Sequence, residues 1–301
     1  MGAHRAIAVM GQIRLPTAWS RTRAGTSAVV QKAGHILALA LVVSWVPHDS
    51  KAVSLCRENA RQQLIGRFAS MSLTFYERVG HEGRRPSPFS WRIRYALAHK
   101  GVPFEVRPVR FADVETIRNL SGQHLTPILK HGDDVVHETW DIACYLEEQF
   151  PDRPSLFGGE IGRGIAHFIN AWSETQLGPP LRRVIYADFP AVLDSVDRAY
   201  FRASRERALG MSLEDACADP ESKLTAFQEA CVPLARVLTA QPYICGAAPA
   251  YGDYIVFSLF QMARLGSPKE VIAEGSPIAT WRTHMIALFD DLGNRFPGYP
   301  K

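Results

Sequence analysis

The chain has 301 residues, of which 47% are hydrophobic and 21% charged, a composition that excludes disorder throughout and leaves room for one large or two ordinary domains. The formal net charge of +4 gives no indication of nucleic-acid binding, because residues 1–70 hold nine Lys/Arg against two acidic residues and the remainder is slightly acidic. The cysteines are scattered and lie near no histidine at ligand spacing, which argues against a disulfide framework or a metal site and favours a reduced, cytoplasmic protein; they are Cys56, Cys144, Cys217, Cys231 and Cys245.

Residues 1–70 have no domain-like periodicity. No acidic residue precedes His48, and the apolar run from His35 to Val46 is shorter than the roughly 20 residues that a membrane span needs. Three interpretations stay open: an organelle presequence, a signal peptide, or an over-extended reading frame whose true start is Met71. We favour the third, and we expect the segment to be a disordered or targeting extension or a mis-assigned start, without stable membrane insertion.

From Leu73 the sequence predicts a strand (LTFYERV), a helix (PFSWRIRYALAHKG) and a second strand (PFEVRPVRF). Ser87 precedes Pro88 at the helix N-terminus, where a hydroxyl can cap the helix or face an anion held by free backbone N–H groups. Gly101 ends the helix. The predicted core positions of this helix are Phe89, Ile93 and Leu97, with Trp91 and Tyr95 on a flanking row.

The second half of this predicted domain comes after a polar stretch that ends at His124. TPILKHGDDVVHE predicts a hairpin that turns at Gly132-Asp133-Asp134, and TWDIACYLEEQF predicts a helix that ends before Pro151. We expect one face of that helix to be apolar, formed by Ile142, Tyr145, Leu146 and Phe150. The order βαβ–ββα predicts a thioredoxin-like α/β domain over residues 71–152.

PDRPSLFGGE is rich in Pro and Gly and predicts a linker, set at residues 153–160. Residues 161–301 contain only helix-period segments, from HFINAWSETQL to IATWRTHMIALFDDLG, and predict an all-helical domain. The predicted fold class is therefore α/β followed by all-α.

Three motifs in this order resemble the cytosolic glutathione transferases, over nearly all of 71–300. SPFSWRIRYAL is similar to the first-helix signature of serine- and cysteine-type members. Thr126-Pro127 is similar to the cis-proline turn before the third strand, and HETWDIACYLEEQFPDRP to an acidic-hydroxyl pair followed by a helix. Further segments, among them the Leu177 to Pro180 break and RAYFRASRERALGMSLED, are most similar to bacterial β-etherases, which cleave lignin β-aryl ethers, and to fungal transferases.

The resemblance implies roles for individual residues. Ser87 would donate a hydrogen bond to the glutathione thiolate, with Ser90 as a second candidate that more simply faces solvent. Thr126, beside Pro127, would pair its backbone with the cysteinyl segment, while Glu138 and Thr139 would receive the γ-glutamyl end or simply start a helix. Three residues, otherwise solvated charges, are candidates for binding the glycyl carboxylate: Lys100, Arg110 and His124.

The helical domain would hold the electrophile. Trp172 and Tyr186 are candidate lining residues, although aromatic residues at helical spacing are more often core, and Arg182 and Arg183 could meet an acidic substrate, although a solvated face is simpler. Asp253 matches a buried helix-capping aspartate, whereas Ala250 replaces the usual hydroxyl N-cap, which should cost about 0.5–2 kcal/mol.

The resemblance thus implies a glutathione transferase, with glutathione as co-substrate, no metal, a hydrophobic or aromatic electrophile and a homodimer. Two alternatives stay open: a non-catalytic glutathione-binding carrier or regulatory protein, and a glutathione-dependent isomerase or dehalogenase. Glutaredoxin-like thiol exchange is the least expected activity, because Ser87 stands where a cysteine would be needed.

Overall fold

The computed structural model describes residues 73–300, so the expectations for residues 1–70 lie outside the described residues. The first part has a four-stranded mixed sheet in the order β2-β1-β3-β4. Its strands are β1 (Leu73–Val79), β2 (Phe104–Arg110), β3 (Ile128–His131) and β4 (Asp134–His137). β1 pairs parallel to β2 and antiparallel to β3, with Phe75 opposite both Val106 and Leu129. The predicted thioredoxin-like fold is confirmed.

The helices of this part are α1 (Pro88–Lys100), α2 (Val114–Ser121) and α3 (Thr139–Gln149). The strands and the other two helices were predicted, but α2 falls in the stretch that was predicted as merely polar. That prediction was wrong because α2 is short: it has apolar residues at helical spacing, Val114, Ile117 and Leu120, but spans only eight residues and fully buries only Ile117. With α2 the order becomes βαβαββα.

Helix α1 is the central helix of the first domain. Trp91, Ile93, Tyr95 and Leu97 are at most 1% exposed, as predicted. Phe89 is 39% exposed, so its predicted core position was wrong. It lies in the first turn of α1, where the side chain borders a cavity instead of the sheet. On α3, Ile142 and Leu146 are buried, while Tyr145 and Phe150 are half-buried.

The second part is all-helical in the described residues, as predicted. Its helices are α4 (Glu160–Trp172), α5 (Gly178–Ile185), α6 (Ser195–Leu209), α7 (Leu213–Ala216), α8 (Pro220–Ala230), α9 (Val232–Ala240), α10 (Tyr251–Gly266) and α11 (Pro277–Asp291). Every residue of α10 is buried, so this helix forms the centre of the domain. A π-helical turn, Ser173–Leu177, joins α4 to α5. None of the helices in 73–300 is long and apolar enough to span a membrane.

Helix α4 presents an exposed apolar stripe. Ile161 is 85% exposed, Ile165 56% and Phe168 68%. Their spacing of four and three residues places the three side chains on one face of the helix. We call these three residues the α4 stripe.

Candidate functional site

Ser87 is the N-cap of α1. It has extended backbone angles, is 8% exposed, and its Oγ accepts the backbone N–H of Ser90 at 3.5 Å. A hydroxyl has one proton to donate and two lone pairs, so accepting this bond leaves the O–H of Ser87 available. Pro88 follows at the first helical position, where a missing N–H costs no hydrogen bond. The Ser-Pro pair thus places a donor beside the positive end of the α1 dipole.

A buried ionic network holds the segment before Ser87. The Glu77 carboxylate, 0% exposed, accepts hydrogen bonds from Arg85 Nε at 2.6 Å and from the guanidinium of Arg94. Trp91 Nε1 donates to the Arg85 carbonyl at 2.6 Å. Because two arginines and an indole converge here, the backbone that leads into Ser87 is fixed from both β1 and α1.

The other predicted residues lie at the ends of neighbouring elements. The peptide between Thr126 and Pro127 is cis and precedes β3. Glu138 has φ of 65°, a left-handed conformation that is uncommon for a residue with a side chain and frequent at functional sites. Its carboxylate caps no N–H group and forms no ion pair within 73–300. Glu138 thus starts α3 as its N-cap residue, while its side chain takes no part in capping the helix.

One cavity of about 160 Å³ brings these residues together. Ser87, Thr126, Pro127, Glu138 and Thr139 all border it, on the side of the first domain. The opposite side belongs to the helical domain and is largely aromatic. The residues that line that side are Arg182, Tyr186, Phe189, Tyr200, Phe201, Arg205 and Met262.

Several candidates lie elsewhere. Ser90 is 0% exposed and its Oγ has no partner within 73–300, so its solvent-facing interpretation was wrong, and it does not line the cavity. Lys100 is also buried rather than solvated, because its Nζ pairs with Glu147 at 2.5 Å. Exposed Arg110 pairs with Asp194, outside the cavity.

His124 is exposed, as expected of a solvated charge, and none of the three glycyl candidates lines the cavity. The cation that the first domain contributes there is Arg78, which the sequence analysis missed. Its guanidinium donates to the carbonyls of Arg110 and His124, the latter at 3.1 Å. Arg78 stands in a strand and pairs mainly with backbone, so no sequence motif marks it.

Of the candidates for the electrophile site, Tyr186 and Arg182 line the cavity. Trp172 packs half-buried against the core, and Arg183 lies outside the cavity. Arg205 and Tyr200 were not singled out, although both stand in the segment RAYFRASRERALG. Their spacing along α6 is the sequence feature that could have separated the cavity residues from the others. The cavity is lined by Tyr200, Phe201 and Arg205, whereas Arg202 forms ion pairs with Glu206 and Glu214.

Asp253 lies far from this chemistry, inside the helical domain. It is 0% exposed and accepts N–H groups from Ile244 at 2.7 Å, from Cys245 and Ala250 at 3.2 Å, and from Trp281 Nε1 at 3.0 Å. Burial raises the pKa of Asp253, against the lowering effect of these bonds. Ala250 has no side-chain cap, so α10 keeps the half of a capping box in which the N3 carboxylate accepts the N-cap N–H.

Comparisons with known proteins give the family. The N-terminal domain model of the glutathione S-transferases matches residues 86–149, and the C-terminal domain model matches residues 165–288. The chain belongs to the glutathione S-transferase family. The two matched regions cover the α1 and α3 ends of the cavity and the helices α5, α6 and α10 that close it. Within 73–300 no group of His, Cys, Asp and Glu side chains is arranged to hold a metal ion.

Curated relatives match only over short segments. Glutathione S-transferase 1 of Dianthus caryophyllus is 37% identical over 82 residues, which are 23% of this chain and 34% of that protein. A zeta-class glutathione S-transferase of Euphorbia esula is 34% identical over 74 residues, 23% of this chain and 33% of that one. The chain thus spans about a third of the length of these relatives.

Solved structures share the fold of most of this glutathione S-transferase family member. A glutathione transferase of Phanerochaete chrysosporium superposes with a TM-score of 0.63 at 22% identity, covering 71% of this chain and 95% of that one. A glutathione S-transferase of Ceriporiopsis subvermispora, crystallised with glutathione, gives 0.61 at 21% identity over 75% and 99%. At these identities the likeness shows the fold.

Proposed function

We propose that this protein is a glutathione transferase that activates the glutathione thiol for attack on an aromatic electrophile. The observation that carries the proposal is one cavity with two different sides. One side is formed by Ser87, the cis Thr126-Pro127 turn, Glu138 and Thr139, and the other side is largely aromatic. A hydroxyl donor at a helix N-terminus stabilises a thiolate, and an apolar wall can bind the aromatic electrophile that the thiolate attacks.

Ser87 is the proposed catalytic residue. A free thiol has a pKa near 8.5 and attacks well only as thiolate. The available O–H of Ser87 would donate to the sulfur, and the α1 dipole would favour the same anion. A lowering of the thiol pKa by about two units corresponds to about 2.7 kcal/mol, which one charge-assisted hydrogen bond and a helix end together can supply.

The remaining glutathione groups find partners on the same side of the cavity. The Glu138 carboxylate, which has no hydrogen-bond or ion-pair partner among the described residues, would pair with the γ-glutamyl ammonium, and the Thr139 hydroxyl and N–H with the γ-glutamyl carboxylate. Thr126 would offer its backbone to the cysteinyl segment. Since Lys100, Arg110 and His124 lie off the cavity, we assign the glycyl carboxylate to Arg78.

Two finer points belong to the same proposal. We keep the division into a glutathione-binding domain at 71–152, a linker at 153–160 and a substrate-binding helical domain at 161–301. We also keep β-aryl ether cleavage as the narrower activity: the thiolate would form a C–S bond at the ether carbon, and the aryl oxide would leave with the bonding pair and take up a proton. The similarity of the first helix and of RAYFRASRERALGMSLED to β-etherases motivates this choice.

The test uses the full chain. Fluorimetric titration with glutathione is followed by turnover of a fluorogenic β-aryl ether and of a chlorodinitrobenzene, in the wild type, Ser87→Ala and Ser90→Ala. We expect binding in all three and loss of turnover only in Ser87→Ala. Binding without turnover in the wild type would favour the carrier or isomerase alternatives, and a folded protein that does not bind glutathione would overturn the proposal.

A second variant tests the position of the site. Ser87→Cys places a thiol at the α1 N-terminus, where the helix dipole favours a thiolate. We expect this variant to gain glutathione-dependent disulfide exchange that the wild type and Ser90→Cys lack. Absence of exchange in a folded Ser87→Cys protein would show that the reacting sulfur does not lie at this residue.

A further inference from the structure

The helical side of the cavity is both aromatic and cationic. Phe189 and Phe201 stack with ring centres 5.2 Å apart, and Tyr186 lies edge-on to both. Arg182 on α5 and Arg205 on α6 border the same wall. A flat ring that packs against this aromatic wall therefore shares the cavity with two guanidinium groups.

These two arginines lack carboxylate partners within 73–300. Arg205 donates from Nη1 to Ser204 Oγ at 3.3 Å and lies over the Phe201 ring, with its guanidinium carbon 5.1 Å from the ring centre. Arg182 lies beside Gly178, where an added Cβ would stand 2.7 Å from its Nη1. By contrast, Arg202 of the same α6 helix forms ion pairs of 2.8 and 2.7 Å with two glutamates.

The charges around the cavity favour a bound anion. Arg78, Arg182 and Arg205 line it, and Glu138 is the one carboxylate among its lining residues in the described part of the chain. Burial lowers the pKa of Arg78, and the nearby charge of Arg205 lowers it further, against the raising effect of Tyr200 and Asp197. An anion held beside Arg182 and Arg205 would be attracted by both guanidinium groups.

We infer that the electrophilic substrate is an aromatic compound that carries a carboxylate, and that Arg182 and Arg205 bind this carboxylate while the aromatic wall holds the ring. The inference rests on the proposed function. The glutathione carboxylates are placed at Thr139 and Arg78 on the opposite side, which leaves the two helical-domain arginines for the second substrate. Planar guanidinium groups suit a carboxylate because they donate two parallel hydrogen bonds.

The experiment compares two electrophiles that differ in charge: 4-chloro-3,5-dinitrobenzoate and its methyl ester. In both, the glutathione sulfur forms the C–S bond at the chlorine-bearing carbon, chloride leaves with the bonding pair, and the thiol proton passes to solvent. Each enzymatic kcat/KM is divided by the uncatalysed rate constant with glutathione, which removes the intrinsic difference in reactivity. The proteins are the full chain, Arg182→Gln, Arg205→Gln and the control Arg183→Gln, whose side chain lies outside the cavity.

We expect the wild type to prefer the benzoate, and each cavity variant to raise the KM for the benzoate about tenfold with little change for the ester or for glutathione. Arg183→Gln should behave as the wild type. Equal effects on benzoate and ester would overturn the inference. A rise in the KM for glutathione instead would place the glycyl carboxylate, not the substrate, at these arginines.

Binding gives a readout that does not need turnover. The glutathione conjugate of each electrophile is titrated against tryptophan fluorescence, and tighter binding of the carboxylate conjugate, lost in Arg182→Gln and Arg205→Gln, supports the inference. Equal binding of the two conjugates overturns it while leaving the proposed function intact. Failure of the wild type to bind glutathione at all would overturn both.

Discussion

Replacement of Asp253 by alanine is the sharpest test of how the helical domain is held together. The carboxylate joins three parts of the chain, because it accepts N–H groups from the 244–245 loop, from the start of α10 and from Trp281 of α11. Removing it leaves the indole N–H of Trp281, which is 1% exposed, without an acceptor. The three backbone N–H groups are half-buried and would regain water only in part.

The expected cost follows from these contacts. An orphaned buried donor costs about 1–3 kcal/mol, and each lost bond to a charged acceptor about 1.5–3 kcal/mol. Release of a buried carboxylate from its desolvation penalty offsets part of the loss. We therefore expect Asp253→Ala to lower the free energy of unfolding by about 3–5 kcal/mol, a large share of the 5–15 kcal/mol of an ordinary protein.

The assay is urea unfolding at neutral pH, followed by far-ultraviolet circular dichroism, with comparison of midpoints at unchanged slope. Asp253→Asn serves as the matched variant. Its carbonyl oxygen can still accept hydrogen bonds, but its NH2 group is a donor and cannot accept the remaining N–H groups. Its unfolding free energy should therefore lie between those of the wild type and Asp253→Ala. A loss below about 1 kcal/mol for Asp253→Ala would refute the reasoning that this carboxylate ties the three segments together.

Three further predictions concern stability and assembly. Ala250→Ser should supply the missing N-cap acceptor of α10 and raise the unfolding free energy by about 0.5–2 kcal/mol in the same urea assay; no gain would show that the N-cap position is not limiting. Burial opposes ionisation of Glu147, but hydrogen bonds led by that from Lys100 outweigh it and lower its pKa. The stability that ionised Glu147 contributes is therefore fully present above about pH 4.5 and is lost as the pH falls through its lowered pKa. The urea midpoints of the wild type and Glu147→Gln should accordingly converge on acidification. A difference that stays constant with pH would contradict this prediction. Phe168→Ser, in the α4 stripe, should shift the expected homodimer towards monomer in light scattering, whereas the exposed Val196→Ser should not, and equal masses for the two variants would place the interface elsewhere.

The sequence predicted those parts of the fold whose pattern is local. The strands, α1 and the hairpin follow from apolar alternation, Gly101 and the Gly132 turn. Helix α2 was missed because its eight residues are too few to form a stable helix alone, so its existence depends on the packing of Ile117 and Leu120 against the sheet. Phe89 was misplaced for the converse reason: its spacing fits a core position, but the first turn of α1 opens onto the cavity.

The candidate site divides in the same way. Ser87, Thr126 and Glu138 each belong to a short motif, and the structure brings all three to one cavity. The positions of the charged side chains could not be predicted, because their partners are distant in sequence. Lys100 pairs with Glu147, and Arg78 bonds the carbonyl of His124, contacts that no local pattern encodes.

The central claim is that Ser87 stabilises the thiolate of bound glutathione. The measurement is a pH titration of the thiolate absorbance of bound glutathione in the full chain, in the wild type, Ser87→Ala and the buried control Ser90→Ala. The account predicts a thiol pKa about two units below that of free glutathione in the wild type and in Ser90→Ala, and a return towards the free value in Ser87→Ala. The same lowered pKa in Ser87→Ala as in the wild type would contradict the assignment of Ser87 as the catalytic residue.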